Sequence, residues 1–203
     1  MSSHHFVKEF QEPALLITSL NEANIEKLAS LLEWAPYVIA HENVFGDLLN
    51  KEIKIDAVLC QKVNRELIMR LIEMQWNIEL FEMEDSDNLI QKSLSIVEKN
   101  GGRNLNVFDT ANTITLDFEL FETANSQIVI FDQHFKWHLP KELKFEKWLP
   151  ANTALQFKLQ EDTNLKIAGN YQLLSDNEMI TTTEGLISIS SPQNKKWLIG
   201  EPF

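Results

Sequence analysis

Lys54-Ile55-Asp56-Ala57-Val58-Leu59 ends as a buried strand should, and it runs straight into Cys60-Gln61-Lys62-Val63. No carboxylate follows the apolar run, so the strand end supplies no anionic oxygen to hold a divalent cation. From residue 14 to about 132, short apolar runs like this one alternate with amphipathic stretches. That is the rhythm of strand-helix-strand units on a largely parallel sheet.

Strands are predicted at Ala14–Thr18, Tyr37–Ala40, Ile53–Leu59, Trp76–Leu80, Leu105–Phe108 and Gln127–Phe131. Between the first two, Ile25, Leu28, Leu31 and Leu32 recur at helical spacing, with Asn21 or Asn24 as a cap. Val63, Leu67, Ile68, Leu71 and Ile72 make a second apolar stripe. Leu89, Ile90, Leu94 and Val97 make a third behind Glu84-Asp85-Ser86-Asp87, closed by Asn100-Gly101-Gly102. All of these stripes read as core faces. Ile114, Leu116, Phe118 and Leu120 alternate with polar residues, a half-exposed strand pattern.

After Asp132-Gln133-His134 the rhythm changes. Pro140 and Pro150 punctuate the chain, and short segments such as Leu155, Phe157, Leu159 and Leu186, Ile187, Ile189 are separated by Asn, Asp, Gly and Ser, with Trp197-Leu198-Ile199 near the end. Short strands without helical stretches predict a small antiparallel sandwich or barrel. The expected class is α/β: an N-terminal parallel-sheet, Rossmann-like three-layer domain over residues 1–136, then a small all-β sandwich over 137–203, with the boundary near 134–142.

With 203 residues and 44% hydrophobic content, the chain can bury one good core or two small ones. Eighteen Lys and Arg against thirty Asp and Glu give a net charge of −12, which repels a polyanion, so nucleic acid is not an expected partner. No apolar run approaches the roughly 20 residues that span a bilayer, and no basic segment leads into a hydrophobic signal stretch. A soluble, cytoplasmic protein is expected. Cys60, the single cysteine, forms no internal disulfide and reads as a buried thiol more readily than as a nucleophile. His4-His5 could chelate a metal but reads as a solvated pair. Trp34, Trp76, Trp137, Trp148 and Trp197 read as core or interface. Trp197 is kept as a stacking partner for a flat heterocycle.

An α/β half followed by a short all-β half, with Phe145-Glu146-Lys147-Trp148-Leu149-Pro150-Ala151-Asn152-Thr153 opening the second, resembles the thiamine pyrophosphokinases of bacterial type. Met1-Ser2-Ser3-His4-His5 and Gln11-Glu12-Pro13-Ala14-Leu15 are similar as well. The resemblance implies a homodimer that transfers a pyrophosphoryl group from ATP, with magnesium, to the hydroxyethyl arm of thiamine. It implies sites between the strand ends of a nucleotide-binding α/β domain and the thiamine-binding β domain of the partner subunit. Such catalysis is positioning plus charge neutralisation, and Mg²⁺ takes hard oxygens, so aspartates should cluster at the carboxyl edge of the sheet.

The family's motifs are altered at those charged positions. Where the family has Ala-Asp-Gly-Gly-Ala, this chain reads Ala40-His41-Glu42-Asn43-Val44. The pattern Asp-x-x-x-Gly-Asp-Phe-Asp-Ser falls on Asp56 to Asn64: Asp56 matches, and the two metal-binding aspartates are Gln61 and Val63. Glu84-Asp85-Ser86-Asp87-Asn88-Leu89 lies near the family's Gln-Asp-x-Thr-Asp-Leu, with capping of the following helix as the simpler role. Val107-Phe108-Asp109-Thr110-Ala111-Asn112-Thr113 occupies the place of a glycine-rich Gly-Gly-Arg-x-Asp-His loop, without glycine, arginine or histidine. There the family implies a helix where the alternation implies a strand. Asp176-Asn177-Glu178 or Ile180-Thr181-Thr182-Thr183 could stand for a late Ser-Asn stretch that contacts thiamine.

The apolar scaffold is intact while charge and glycine positions are lost. The resemblance therefore implies a thiamine pyrophosphokinase-like protein with a kept fold and a weak or absent reaction. Two alternatives stand beside it: a working kinase whose magnesium site is rebuilt from Asp56, Glu42, Asp85 and Asp87, and a non-catalytic module that holds thiamine or a nucleotide. The candidate residues are Asp56 and Gln61 at the catalytic strand end, Asp56, Asp85 and Asp87 for metal, and His41, Glu42, Asp109 and Trp197 for ligand.

Overall fold

The computed structural model describes residues 12–73, 77–121 and 126–203. His4-His5, Gln11 and Trp76 lie outside the described residues. The chain carries a large sheet containing parallel strands and a separate small antiparallel sheet. It divides into two compact units, one reaching Thr115 and the other carried mainly by Val129–Phe203.

In the first unit the order along the chain is β1 (Ala14–Ser19), α1 (Ile25–Leu32), β2 (Val38–His41), α2 (Glu42–Asn50), β3 (Ala57–Gln61), α3 (Arg65–Ile72), β4 (Glu79–Met83), α4 (Leu89–Lys99) and β5 (Leu105–Asp109). β1 pairs with β2 and β5, β2 with β3, and β3 with β4, all parallel, giving the spatial order β5-β1-β2-β3-β4. β1, β2 and β3 are near-continuous apolar runs because both faces are covered: Leu15, Leu16, Ile17, Ile39, Val58 and Leu59 are fully or almost fully buried. Asn88 caps α4 by accepting from the amides of Ile90 and Gln91, and Gly101, at φ 85°, ends that helix in a conformation few other residues adopt.

Two expectations need correction here, and one helix stands where none was expected. The α2 helix was not foreseen; Val44, Phe45 and Leu48 form its buried face. The stripe on α3 is only partly core, since Ile68 is buried while Leu67 is 61% and Val63 87% exposed. Ile114 to Leu120 forms neither strand nor α-helix: the segment ends in a single 3₁₀ turn at Phe118–Phe121. Its start is tied down by the Asp109 carboxylate, which accepts from the Ile114 amide at 2.7 Å and the Thr113 hydroxyl at 2.8 Å.

The second unit continues with β6 (Ile128–Phe131), β7 (Phe135–His138), β8 (Lys144–Leu149), β9 (Ala154–Leu159), β10 (Lys166–Ala168), β11 (Tyr171–Ser175), β12 (Glu178–Thr181), β13 (Gly185–Ser190) and β14 (Trp197–Pro202). Its pairings are antiparallel, in the orders β11-β12-β9-β14-β7-β6 and β10-β13-β8. The break between units falls before the 134–142 boundary expected from composition, because β7 is hydrogen-bonded to β14 and so belongs to the second unit. Asp132 closes the β6–β7 turn, accepting from the amides of His134 and Phe135 and from the Trp137 indole. That ring passes so close to Gly200 that a β-carbon there would lie 2.9 Å from it. One core joins the two sheets of this unit: Phe145, Leu149, Ile187 and Ile189 from the small sheet against Leu155, Phe157, Met179, Trp197 and Ile199.

Glu201 on β14 is a buried charge of this unit, its side chain 8% exposed. It accepts from His138 at 3.2 Å and from Lys147 at 2.5 Å, with the Lys136 ammonium 3.6 Å away. Lys147 reaches it from β8, so the ion pair ties one sheet to the other. Burial alone would raise the carboxyl, but the bonds from His138 and Lys147 and the charges of Lys136 and Lys147 outweigh it and hold it down to about 2. A depressed carboxylate contributes its stability in full above its ordinary value of 4.5 and loses it as pH falls from there toward about 2. Denaturant titrations should therefore show stability falling across that window. Glu201→Gln should be less stable near neutral pH and should lose this part of the acid slope; an unchanged slope would contradict the assignment.

Candidate functional site

Because the first unit's strands are parallel, all five carboxyl ends lie on one edge, where open α/β sheets bind their ligands. Along that edge, in spatial order, stand Asp109, Ser19, His41, Gln61 and Met83. Neighbouring strands are about 4.8 Å apart, so the end of β5 is roughly 19 Å from the end of β4. Groups at the two extremes cannot share one ion.

A hollow of about 500 Å³ opens beside β3 and β4, lined by Gln61, Lys62, Val63, Met83, Glu84 and Asp85. It forms because β3 breaks at Gln61 into a 3₁₀ turn, Lys62–Asn64, and β4 breaks at Met83 into the acidic turn before α4. Gln61, Val63 and Asp85, which the motif reading singled out separately, meet here. The lining offers one neutral amide, one isopropyl group, one ammonium and two exposed carboxylates, Glu84 and Asp85.

The other sequence candidates are placed differently. Asp56 precedes β3 at the opposite, amino edge, about 16 Å from Gln61 at ~3.3 Å per residue. Its side chain accepts from the Val38 amide at 2.9 Å and pairs with Lys54 at 2.7 Å, so it aligns the starts of β2 and β3. Asp87 accepts from the Glu84 amide at 3.0 Å and from Lys92 at 3.2 Å, and these bonds hold its carboxyl below the usual range. Its role is to close the turn before α4. Glu42, in the first turn of α2, accepts from the Gln61 amide at 3.0 Å and so fastens the end of β3. His41 caps α2: Nδ1 accepts from the Asn43 amide at 3.3 Å, and burial lowers the ring's pKa, opposed by Glu42. Because Nδ1 accepts this bond, the ring's proton in the capping form sits on Nε2.

Trp197 is corrected from stacking partner to core residue. It has no exposed surface, its indole N–H donates to the Leu143 carbonyl at 3.3 Å, and its ring packs edge-on to Phe157. Cys60 is likewise buried, and burial with nearby Glu42 and Glu82 pushes its thiol up, away from the nucleophilic thiolate. Trp34 and Trp148 are exposed at 69% and 66%. Among the described residues, no three of His, Cys, Asp and Glu gather closely enough to hold a metal ion.

A second cluster lies at the end of β5. The Asp109 side chain, 1% exposed, accepts from Thr18 Oγ1 at 2.9 Å, Ser19 Oγ at 3.1 Å, Thr113 Oγ1 at 2.8 Å and the Ile114 amide at 2.7 Å. Ser19 in turn accepts from the Ala111 amide at 2.8 Å. Sequence reasoning found Asp109 but not Thr18 and Ser19, some ninety positions away. The available signal was a polar pair closing the first apolar strand, and it gains meaning only once β1 and β5 are known to be neighbours.

Fold and site together define an α/β unit with a carboxyl-edge hollow, joined in one chain to an antiparallel two-sheet unit. Solved structures share that fold along nearly the whole chain. A thiamine pyrophosphokinase from Bacillus subtilis superposes with a TM-score of 0.64 at 13% identity, covering 93% of this chain and 98% of its own. Thiamin pyrophosphokinases from Geobacillus thermodenitrificans (0.63, 12% identity, 94% and 97% covered) and Candida albicans (0.60, 8%, 94% and 89%) do likewise. No family model matches the chain, and no curated protein matches it in sequence.

The Glu42 contact is open to test. Glu42→Ala leaves the Gln61 amide without its acceptor and should cost about 1–2 kcal/mol in denaturant unfolding, with faster hydrogen exchange at the end of β3. Unchanged exchange there would show that the bond does not hold this edge.

Proposed function

We propose that this chain is a divergent thiamine pyrophosphokinase-like protein that keeps the fold and carries out pyrophosphoryl transfer weakly or not at all. The observation that carries the reading is the end of β3. There Gln61 and Val63 stand at the positions matching the family's metal-binding aspartates, with Lys62 between them in sequence, beside a hollow whose described lining carries two solvent-exposed carboxylates. An amide and an isopropyl group do not replace two anionic oxygens, and loss of a metal's charge stabilisation removes several kcal/mol of barrier lowering. The residues present do not fit a nucleotide-bound Mg²⁺ held as in the family.

The rebuilt-site alternative is not favoured by placement. Of Asp56, Glu42, Asp85 and Asp87, the first lies at the other edge, the second is engaged by the Gln61 amide and the fourth by Glu84 and Lys92. The hollow remains large enough for a ligand such as thiamine or a nucleotide held without chemistry, and homodimer formation and cytoplasmic residence are part of this proposal.

The test is release of AMP from ATP that depends on both thiamine and Mg²⁺. The expected result is no release above background, while turnover at ordinary kinase rates, about 1–100 s⁻¹, would refute the reading. A companion pair, Gln61→Asp with Val63→Asp, should confer divalent-cation binding that the parent chain lacks, measured by calorimetry with Mn²⁺. A parent chain that binds Mn²⁺ as tightly as the double variant would count against the charge deficit.

A further inference from the structure

The geometry points to a built anion site between the ends of β1 and β5 that the chain fills with its own Asp109 carboxylate. The strand order makes this the switch point of the sheet: from β1 the chain steps outward through β2, β3 and β4, then crosses back to place β5 on β1's other side. Connections diverge there and leave the crevice in which open α/β sheets take a ligand. In this chain the crevice is furnished with donors. Three hydroxyls, from Thr18, Ser19 and Thr113, and the Ile114 amide all lie between 2.7 and 3.1 Å of one carboxylate.

Three hydroxyls on Oδ1 and an amide on Oδ2 is a donor set suited to an oxyanion, whether a free carboxylate or a phosphate oxygen. It occurs here around a side chain that is 1% exposed, with Thr110, at 1%, beside it. The segment from Thr110 to Ile114 is thereby fastened across the strand ends as a strap, with Asn112 in a left-handed turn at φ 52°. A phosphate arriving from solvent meets a resident negative charge to which these four donors are already committed. The switch point is therefore closed to anionic ligands, whereas the hollow at β3 and β4 stays open to solvent. The inference goes beyond the proposed function and does not depend on it, since activity with nucleotide held elsewhere on the edge would leave it standing.

The experiment is chemical rescue. Asp109→Ala removes the carboxylate but keeps the donors, leaving a gap of the size of formate. The full-length variant should unfold at lower temperature than the parent and be restored saturably by formate, by roughly 3–5 °C at ten times the dissociation constant, with no comparable effect of chloride at equal ionic strength. Asp109→Asn keeps the shape but turns an amide NH₂ toward a donor; it should be destabilised and not respond to formate, because no gap exists. In the parent chain, inorganic phosphate should leave the NMR signals of Thr18, Ser19, Thr113 and Ile114 unmoved. Formate acting no better than chloride on the Ala variant would overturn the inference. So would an Asn variant as stable as the parent, or saturable phosphate shifts at those four residues in the parent. If the Ala variant does not fold, the Asn and parent measurements decide.

Discussion

Parallel pairing of β1 to β5 puts five strand ends on a single edge, and the chemistry open to the first unit follows from which charges stand along it. Carboxylates are not scarce in a chain of net charge −12. What matters is that they do not converge. Asp109 is enclosed at one end of the edge, Glu42 is bound to the neighbouring strand's amide, Asp87 is spent on a turn, and Asp56 serves the opposite edge. Glu84 and Asp85 face the hollow from the solvent side. Asp109, Glu42, Asp87 and Asp56 are each held by local donors, which stabilises the fold, and among the described residues no three ligating groups gather as an oxygen cage for a hard cation.

The same donors tie the edge together. His41 begins α2 by accepting from Asn43, Glu42 one residue later secures β3, and the Asp109 network pins β1 against β5 and the strap beyond it. Polar groups at this edge are thus used structurally. In the second unit the arrangement is repeated in another form, where one buried carboxylate, Glu201, is matched by cations from both sheets.

Most strands of the first unit were legible because buried parallel strands are written as unbroken apolar runs, and α1 and α4 because their stripes recur at helical spacing. β3 begins at Ala57, later than its apolar run from Ile53 suggests: Asp56 ends the connection into β3 by bonding Val38, an interaction that hydrophobicity does not encode. The α2 helix was hidden since its buried face is only Val44, Phe45 and Leu48, and its start reads as a polar loop. At the site, linear motif comparison brought out Gln61, Val63 and Asp85, which the fold brings into one hollow. It failed for Trp197, where a ring suited to stacking is consumed by packing. It also failed for the partners of Asp109, because which strand lies beside β5 is a fact of topology that no local pattern carries.

The central claim, that this edge cannot seat a divalent cation against a triphosphate, is most directly tested by titrating Mn²⁺ into the protein with a non-hydrolysable ATP analogue and reading the metal's electron spin resonance. The expected spectrum is that of free Mn²⁺-nucleotide at every protein concentration. A stoichiometric protein-bound species that also broadens the NMR signals of Gln61 and Asp85 would contradict it.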